Sequence, residues 1–319
     1  MIYKFVVPAC LSVIRNSYFC KKNYTMRINL TNDVLAIVID THGAELQSIE
    51  NIRTGRRYLW HGDKSFWGRR SPILFPIVGS LWDGNFKMDG TEYALGQHGF
   101  ARDMEFTLIE NVPENEAWFA LEANEETMAK YPRIFRLEIG YSLIGERITV
   151  MWRVVNTDTR EISFQIGAHP AFNYPEFCAA DPVHAYIATD GGKILHSQII
   201  ADKGCIGDEI MEVQPDAEGL LPVTADTYSR GALIFADDQV HRVSMLSKDK
   251  RPYVTLMFSA PLVGLWSPSA DAPFMCIEPW WGRADSVGYD GEFSERRYVN
   301  HLEAGETFEV SYMMIFDEI

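Results

Sequence analysis

Leu137-Glu138-Ile139-Gly140-Tyr141-Ser142-Leu143-Ile144-Gly145-Glu146-Arg147-Ile148-Thr149-Val150-Met151-Trp152-Arg153-Val154 alternates in polarity on both sides of a Gly145-Glu146 turn. A period of two puts Leu137, Ile139, Tyr141 and Leu143 on one face of a strand, and Ile148, Val150, Trp152 and Val154 on one face of the next. The segment reads as a β-hairpin with a short turn and one buried face. The same alternation recurs at Leu35, Ile37 and Ile39, at Leu233 and Phe235, at Val243 and Met245, at Val254, Leu256 and Phe258, and at Phe308, Val310 and Tyr312. Helix signals are few; Asn124 to Tyr131 predicts a short helix capped by Asn124 and stopped at Pro132. Many short strands divided by Gly, Pro and Asp turns predict an all-β, antiparallel sandwich.

The chain of 319 residues is 47% apolar and 13% aromatic, enough for a large core in one domain. Its net charge of −15 argues against nucleic acid or an anionic membrane surface as a partner. Five scattered cysteines form no C-x-x-C pair, so the spacing indicates neither a zinc site nor a disulfide framework. A reducing, cytoplasmic compartment is the simpler reading. No stretch reaches the ~20 apolar residues that span a bilayer. Near the N-terminus, the apolar run from Phe5 to Ile14 is broken by Pro8 and Ser12 and makes a poor signal peptide. Residues 1–25 therefore read as a non-native or disordered extension, dispensable for stability and activity, and 26–319 as a single domain. The acidic segment 202–226, punctuated by Gly204, Gly207, Pro215, Gly219 and Pro222, reads as an ordered excursion over one sheet near the site.

Chemistry concentrates in three segments. In Pro273-Phe274-Met275-Cys276-Ile277-Glu278-Pro279-Trp280-Trp281-Gly282-Arg283-Ala284-Asp285-Ser286, residues 274–277 read as a buried strand that Pro279 ends. A carboxylate there is partly desolvated, which raises its pKa and makes Glu278 a candidate proton acceptor; a salt-bridged strand-end Glu is the plainer alternative. The two tryptophans offer flat apolar surface with a polar edge, which suits the faces of a sugar ring. In Phe164-Gln165-Ile166-Gly167-Ala168-His169-Pro170-Ala171-Phe172-Asn173, Pro170 pushes His169 into extended geometry, and Gly167-Ala168 lets another group approach the backbone. His169 titrates near neutrality and can move a proton; a packed core histidine is the alternative. Gly96-Gln97-His98-Gly99-Phe100-Ala101-Arg102-Asp103 is a tight loop that presents Gln97 and His98.

Together these segments resemble the aldose 1-epimerase (galactose mutarotase) family, closest to its LacX-like branch. The resemblance runs from about Met26 and includes Gly43-Ala44-Glu45-Leu46-Gln47-Ser48-Ile49 and Ser71-Pro72-Ile73-Leu74-Phe75-Pro76-Ile77-Val78-Gly79. It implies a large antiparallel β-supersandwich with a sugar site on the concave face of one sheet. It implies that Glu278 is the base on the anomeric hydroxyl O1, that His169 is the acid on the ring oxygen, and that His98 binds on the ring-oxygen side. No metal or cofactor is implied, and the partner is a small sugar bound by a monomer or homodimer. The base is expected to titrate below neutral pH and the acid near or above it.

The family's sugar-holding arginine is missing ahead of Gly84-Asn85-Phe86-Lys87-Met88-Asp89-Gly90, and Arg70 is the expected substitute. Its sugar-binding aspartate has no counterpart near Gly231. Gln97, Trp280 and Arg283 complete the candidate binding set, and Trp60, Trp67 and Trp82 are core or cleft residues. The leading reading is an aldose 1-epimerase acting on a free hexose of the galactose or glucose type. A hexose 6-phosphate 1-epimerase, using Arg70, Arg102 and Arg283, and a non-catalytic sugar-binding or sensing protein are the alternatives.

Overall fold

The structure is a computed structural model that describes residues 25–112, 115–192 and 194–318. The expected N-terminal extension lies, up to residue 24, outside the described residues. The hairpin forms as strands Phe135–Ile144 and Arg147–Asn156, with Leu143 opposite Ile148 and Leu137 opposite Val154. Gly145 turns the corner in the left-handed region, at φ 58, where a side chain would be strained. The predicted apolar face is buried along both strands. The short helix is Glu125–Lys130, and the Asn124 side chain accepts from the N–H groups of Glu126 and Thr127. No helix among the described residues is long and apolar enough to cross a membrane.

The hairpin lies inside a nine-stranded antiparallel sheet that ends at Leu220–Val223 on one edge and Thr107–Val112 on the other. An eight-stranded sheet packs against it. Its order is Ile206–Val213, Leu195–Ile200, Leu233–Phe235, Leu262–Trp266, Phe274–Trp281, Ile166–Ala168 and Ile73–Leu74, and Ala171–Asn173 also pairs with Phe274–Trp281. Trp152 of the first sheet meets Trp281 of the second, with ring centres 5.6 Å apart, so the shared core lies between the sheets. The chain is therefore the all-β antiparallel sandwich that its alternation predicts.

Phe274–Trp281 is buried along its whole length because both of its faces are covered. Met275, Ile277 and Trp281 enter the core between the sheets. Cys276 and Trp280 join separate clusters on the face turned away from that core, and parity carries Glu278 there too. Pro279 does not end this strand, contrary to expectation. On one side the strand pairs with Ala171–Asn173 at residues 274–276 and with Ile166–Ala168 at 280–281, which leaves a gap between. The Ile277 N–H faces that gap and donates to Pro170 O. Two residues on, the proline nitrogen faces the same gap, where no ladder bond is needed. The excursion at 202–226 is also more regular than expected, since Ile206–Val213 is an edge strand that pairs with Leu195–Ile200.

Candidate active site

His169 occupies the gap itself, between Ile166–Ala168 and Ala171–Asn173. Glu278 projects from the neighbouring strand opposite that gap. His169 Nε2 and Glu278 Oε2 are 3.2 Å apart, and their side chains are 9% and 2% exposed. They are in reach of one another but not aligned as a hydrogen bond, and Glu278 Oε2 and His169 Nδ1 are buried without a partner. Trp67 stacks on the His169 ring with centroids 4.7 Å apart, and Trp266 meets it edge-on at 5.6 Å. The Trp60 indole N–H donates to Trp67 O and anchors the loop that brings Trp67 over the histidine.

A cavity of about 350 Å³ opens above the pair. That is within the range of about 300–1,000 Å³ usual for small-ligand pockets. Glu278, His169, His98, Gln97, Trp280 and Arg283 all line it, and so does Arg102. Among the described lining residues Glu278 is the one carboxylate. Trp280 is the floor. A Cβ on Gly264 would lie 2.5 Å from its ring and one on Gly167 would lie 2.7 Å away, so the indole lies flat over two glycines on flanking strands. The group that Gly167 lets approach is thus this tryptophan. We expect Gly264→Ala to tilt the ring, lowering stability by ~1–3 kcal/mol and raising KM for sugar more than it lowers kcat. A thermal melt and steady-state kinetics check this.

His98 stands in the left-handed region at φ 66. Its Nδ1 accepts from the Gly79 N–H at 3.0 Å. A backbone N–H only donates, so the neutral ring must carry its proton on Nε2 and act as a donor there. Burial, then His169, Arg102 and Arg69, hold His98 well below its ordinary 6.5, which keeps it in this neutral form.

Arg70 is not where it was expected. Its Nη1 donates to Gln47 Oε1 at 2.7 Å and its backbone N–H to Glu45 Oε1, so the side chain turns to the strand Leu46–Asn51 and does not line the cavity. Arg102 lines the cavity instead. Its Nη2 donates to Gln97 O at 2.7 Å, while Nε is buried without a hydrogen-bond acceptor and lies 3.8 Å from Asp103 Oδ2. Burial, then Arg69, brings its pKa down to about 10. Trp281 is in the core, so only one of the paired tryptophans faces the cavity. Trp67 and Trp266 line it, whereas Trp60 packs under it on Phe274 and Trp82 lies beneath Lys203. Where an aspartate was sought near Gly231, the wall is Ala232 and Ile234.

The protonation states also depart from expectation. Burial pushes Glu278 well above its ordinary 4.5, opposed by the Trp280 side chain. Burial pushes His169 down to about 3; its own backbone hydrogen bond opposes this, and Arg102 and Arg69 add to it. One dry pocket holds both groups, and desolvation favours the neutral form of each. Burial therefore favours a protonated carboxyl beside a neutral imidazole over the ionised pair.

This fixes a sign. A carboxyl whose folded pKa is raised stabilises fully below its unfolded value and loses that contribution as pH rises through the folded pKa. Wild type should therefore lose ground to Glu278→Gln as pH rises above the ordinary 4.5. His169, lowered from 6.5 to about 3, loses its contribution as pH falls through that window, the opposite sense to the carboxyl. Melting the two proteins side by side from acid to neutral pH tests this. A flat difference would mean that the carboxyl ionises as readily folded as unfolded.

Folding also assembles a group that the spacing did not indicate. One ligand atom each from His169, Cys276 and Glu278 lies within 4.8 Å of the others, and all three residues are buried.

A family model described as aldose 1-epimerase matches residues 26–287. The chain belongs to the aldose 1-epimerase family. It is 29% identical over 299 residues to the chromosomal protein LacX of Lactococcus lactis subsp. lactis, covering 90% of this chain and 98% of that one. Its fold is similar to the galactose mutarotase related enzyme of Lactobacillus acidophilus, at 30% identity and TM-score 0.84 over 92% of this chain and 98% of that one. It is also similar to a galactose mutarotase-like protein of Lactobacillus casei ATCC 334, at 27% identity and TM-score 0.86 over 92% of this chain and all (100%) of that one. The supersandwich is thus the galactose mutarotase-like fold. Within the aldose 1-epimerase frame, Trp266 is a cavity-lining residue that the sequence reading did not single out, Arg102 is one that it named only for a sugar phosphate, and Cys276 lies beside the pair without lining the cavity. Cys276 had a local signal, since it is two residues from Glu278 and shares its face. Trp266 reaches the site only because its strand pairs with Phe274–Trp281.

Proposed function

We propose that this protein is an aldose 1-epimerase that interconverts the α and β anomers of a free hexose of the galactose or glucose type. The observation that carries the reading is the 3.2 Å approach of His169 Nε2 to Glu278 Oε2 under a sugar-sized cavity. O1 and the ring oxygen are bonded to the same carbon, so the groups that serve them must themselves be close. Glu278 takes the O1 proton as His169 delivers one to the ring oxygen. The bond from C1 to the ring oxygen breaks, the aldehyde forms and the C1–C2 bond rotates. Closure on the other face returns both protons.

The pair carries one proton whether it is neutral or ionised. Transfer from Glu278 to His169 turns the resting neutral pair into the working carboxylate and imidazolium. Ring opening restores the neutral pair, so the same dry pocket stabilises the state that accompanies the open-chain sugar. His98 Nε2–H and the Arg102 guanidinium supply donors to the sugar, and Trp280 offers its face to the ring. One acid and one base suffice for this chemistry.

A second reading, a hexose 6-phosphate substrate, is favoured by Arg283. This guanidinium is 4% exposed, and its nitrogens donate to Ala284 O, Gln198 Oε1 and Ser286 Oγ. No carboxylate among the described residues lies within ion-pair distance of it, so its charge is available to an anion. Polarimetry or NMR of freshly dissolved α-glucose, α-galactose and glucose 6-phosphate tests both readings. Faster equilibration of a free hexose supports the first. A higher kcat/KM for the phosphate, reduced by Arg283→Gln, supports the second. If no sugar or sugar phosphate is accelerated, a sugar-binding protein takes the place of the enzyme.

A further inference from the structure

Cys276 has no part in the proposed anomerisation, yet it shares a strand face with Glu278 and lies opposite Ala171, two residues after His169. It is a free, fully buried thiol set among Trp60, Phe274 and Ala272. Its ligand atom and those of His169 and Glu278 fall within 4.8 Å of one another. Tetrahedral zinc, with bonds of about 2.0–2.3 Å to nitrogen, oxygen and sulfur, holds its ligand atoms roughly 3.3–3.8 Å apart. The His169–Glu278 separation of 3.2 Å is already near that spacing, and no two of the three ligand atoms are more than 4.8 Å apart. The chemistry of the set is equally selective. A thiolate, an imidazole and a carboxylate suit a borderline-soft divalent ion and not magnesium or calcium. Two of the three donors, His169 and Glu278, line the cavity, which gives the ion an entry path and leaves its fourth position to water or a sugar hydroxyl.

We propose that His169, Cys276 and Glu278 form a binding site for zinc or a similar thiophilic divalent ion, and that occupancy of this site switches the enzyme off. Binding releases the Cys276 proton and the proton held by the His169–Glu278 pair to solvent, and no electrons move. The bound ion takes the His169 nitrogen and the Glu278 oxygen that would otherwise move protons on the sugar. Inhibition thus rests on the catalytic reading of that pair, whereas the metal site itself does not.

The test uses the full chain, freed of metal with a chelator and titrated with cobalt chloride and zinc chloride. Cobalt should produce thiolate-to-cobalt charge-transfer absorption together with tetrahedral visible bands, and zinc should abolish both. Zinc should also lower turnover by at least ~10-fold, EDTA should restore it, and magnesium should do neither. Cys276→Ser and Cys276→Ala should keep basal turnover, lose the charge-transfer band and need at least ~10-fold more zinc for the same inhibition. Two variants of different volume guard against a fault in packing at this buried position. Absence of the cobalt band in wild type overturns the site, and so does equal zinc inhibition of wild type and both variants. A cobalt band with turnover unaffected by metal retains the site, overturns the switch and removes the catalytic reading of the pair.

Discussion

Glu278→Gln and His169→Asn should each lower kcat by at least ~10² for every hexose that the wild type accepts, with little change in sugar affinity. Both variants keep the shape of the pocket. Glutamine fills the glutamate volume but cannot take the O1 proton, and asparagine keeps hydrogen-bonding capacity but cannot deliver a proton to the ring oxygen. The two groups stand 3.2 Å apart, and in the proposed mechanism one proton passes between them, so they would act as a unit. The double variant should accordingly be little worse than the worse single one. Progress curves from freshly dissolved anomers measure kcat, and equilibrium binding measures affinity separately. Near-normal turnover in either single variant would remove that residue from the chemistry.

The second large effect is on stability, at Asp285. Its Oδ1 accepts from Arg296 Nε at 2.6 Å and its Oδ2 from the Trp82 N–H at 2.9 Å. The ion pair is nearly sealed, with side chains 1% and 3% exposed. The backbone of Asp285 also donates to Ser80 O and accepts from the Ile206 N–H, so this residue ties the segment after Phe274–Trp281 to Ser80, which follows Gly79 of the cavity wall, and to the wall residue Ile206. Asp285→Asn removes the negative charge and leaves the Arg296 guanidinium buried, close to Arg283 O. Loss of one partner of such a pair costs ~3–5 kcal/mol, because the remaining charge is neither solvated nor compensated. Denaturant unfolding should show that loss, with weaker sugar binding as Ala284 and Ile206 loosen. The double variant Asp285→Asn with Arg296→Met should recover much of the stability, since a paired removal leaves no orphaned charge. A single variant within ~0.5 kcal/mol of wild type would mean that water reaches Arg296.

Alternation along the chain settles what is local. The polarity of residues 137–154 names a hairpin because side-chain direction in a strand repeats every two residues and depends on no distant partner. The same rule places Glu278 on one face of its strand, and a proline beside a histidine marks His169 as exceptional. Alternation makes the all-β sandwich legible without coordinates, and the family resemblance carried by the order of the motifs is what joins His169 to Glu278. The burial of residues 274–277 is legible too, from their unbroken apolarity.

Tertiary pairing decides the rest, because it joins residues that no spacing relates. Pro279 sits within a strand because the neighbouring strand is broken at His169, and the sequence near Pro279 holds no trace of that break. Arg70 and Arg102 are both plausible sugar ligands by residue type. Glu45 and Gln47 capture the first, and the Gly96–Asp103 loop delivers the second to the cavity. Protonation is likewise a property of the folded pocket. Trp67 and Trp266 enclose His169 from distant parts of the chain, and burial in the folded pocket raises the Glu278 pKa and lowers that of His169. Cys276 becomes a metal-ligand candidate for the same reason. Strand periodicity is dictated by the backbone of each segment, whereas desolvation and coordination depend on which segments meet, and that is fixed only when the sheets close.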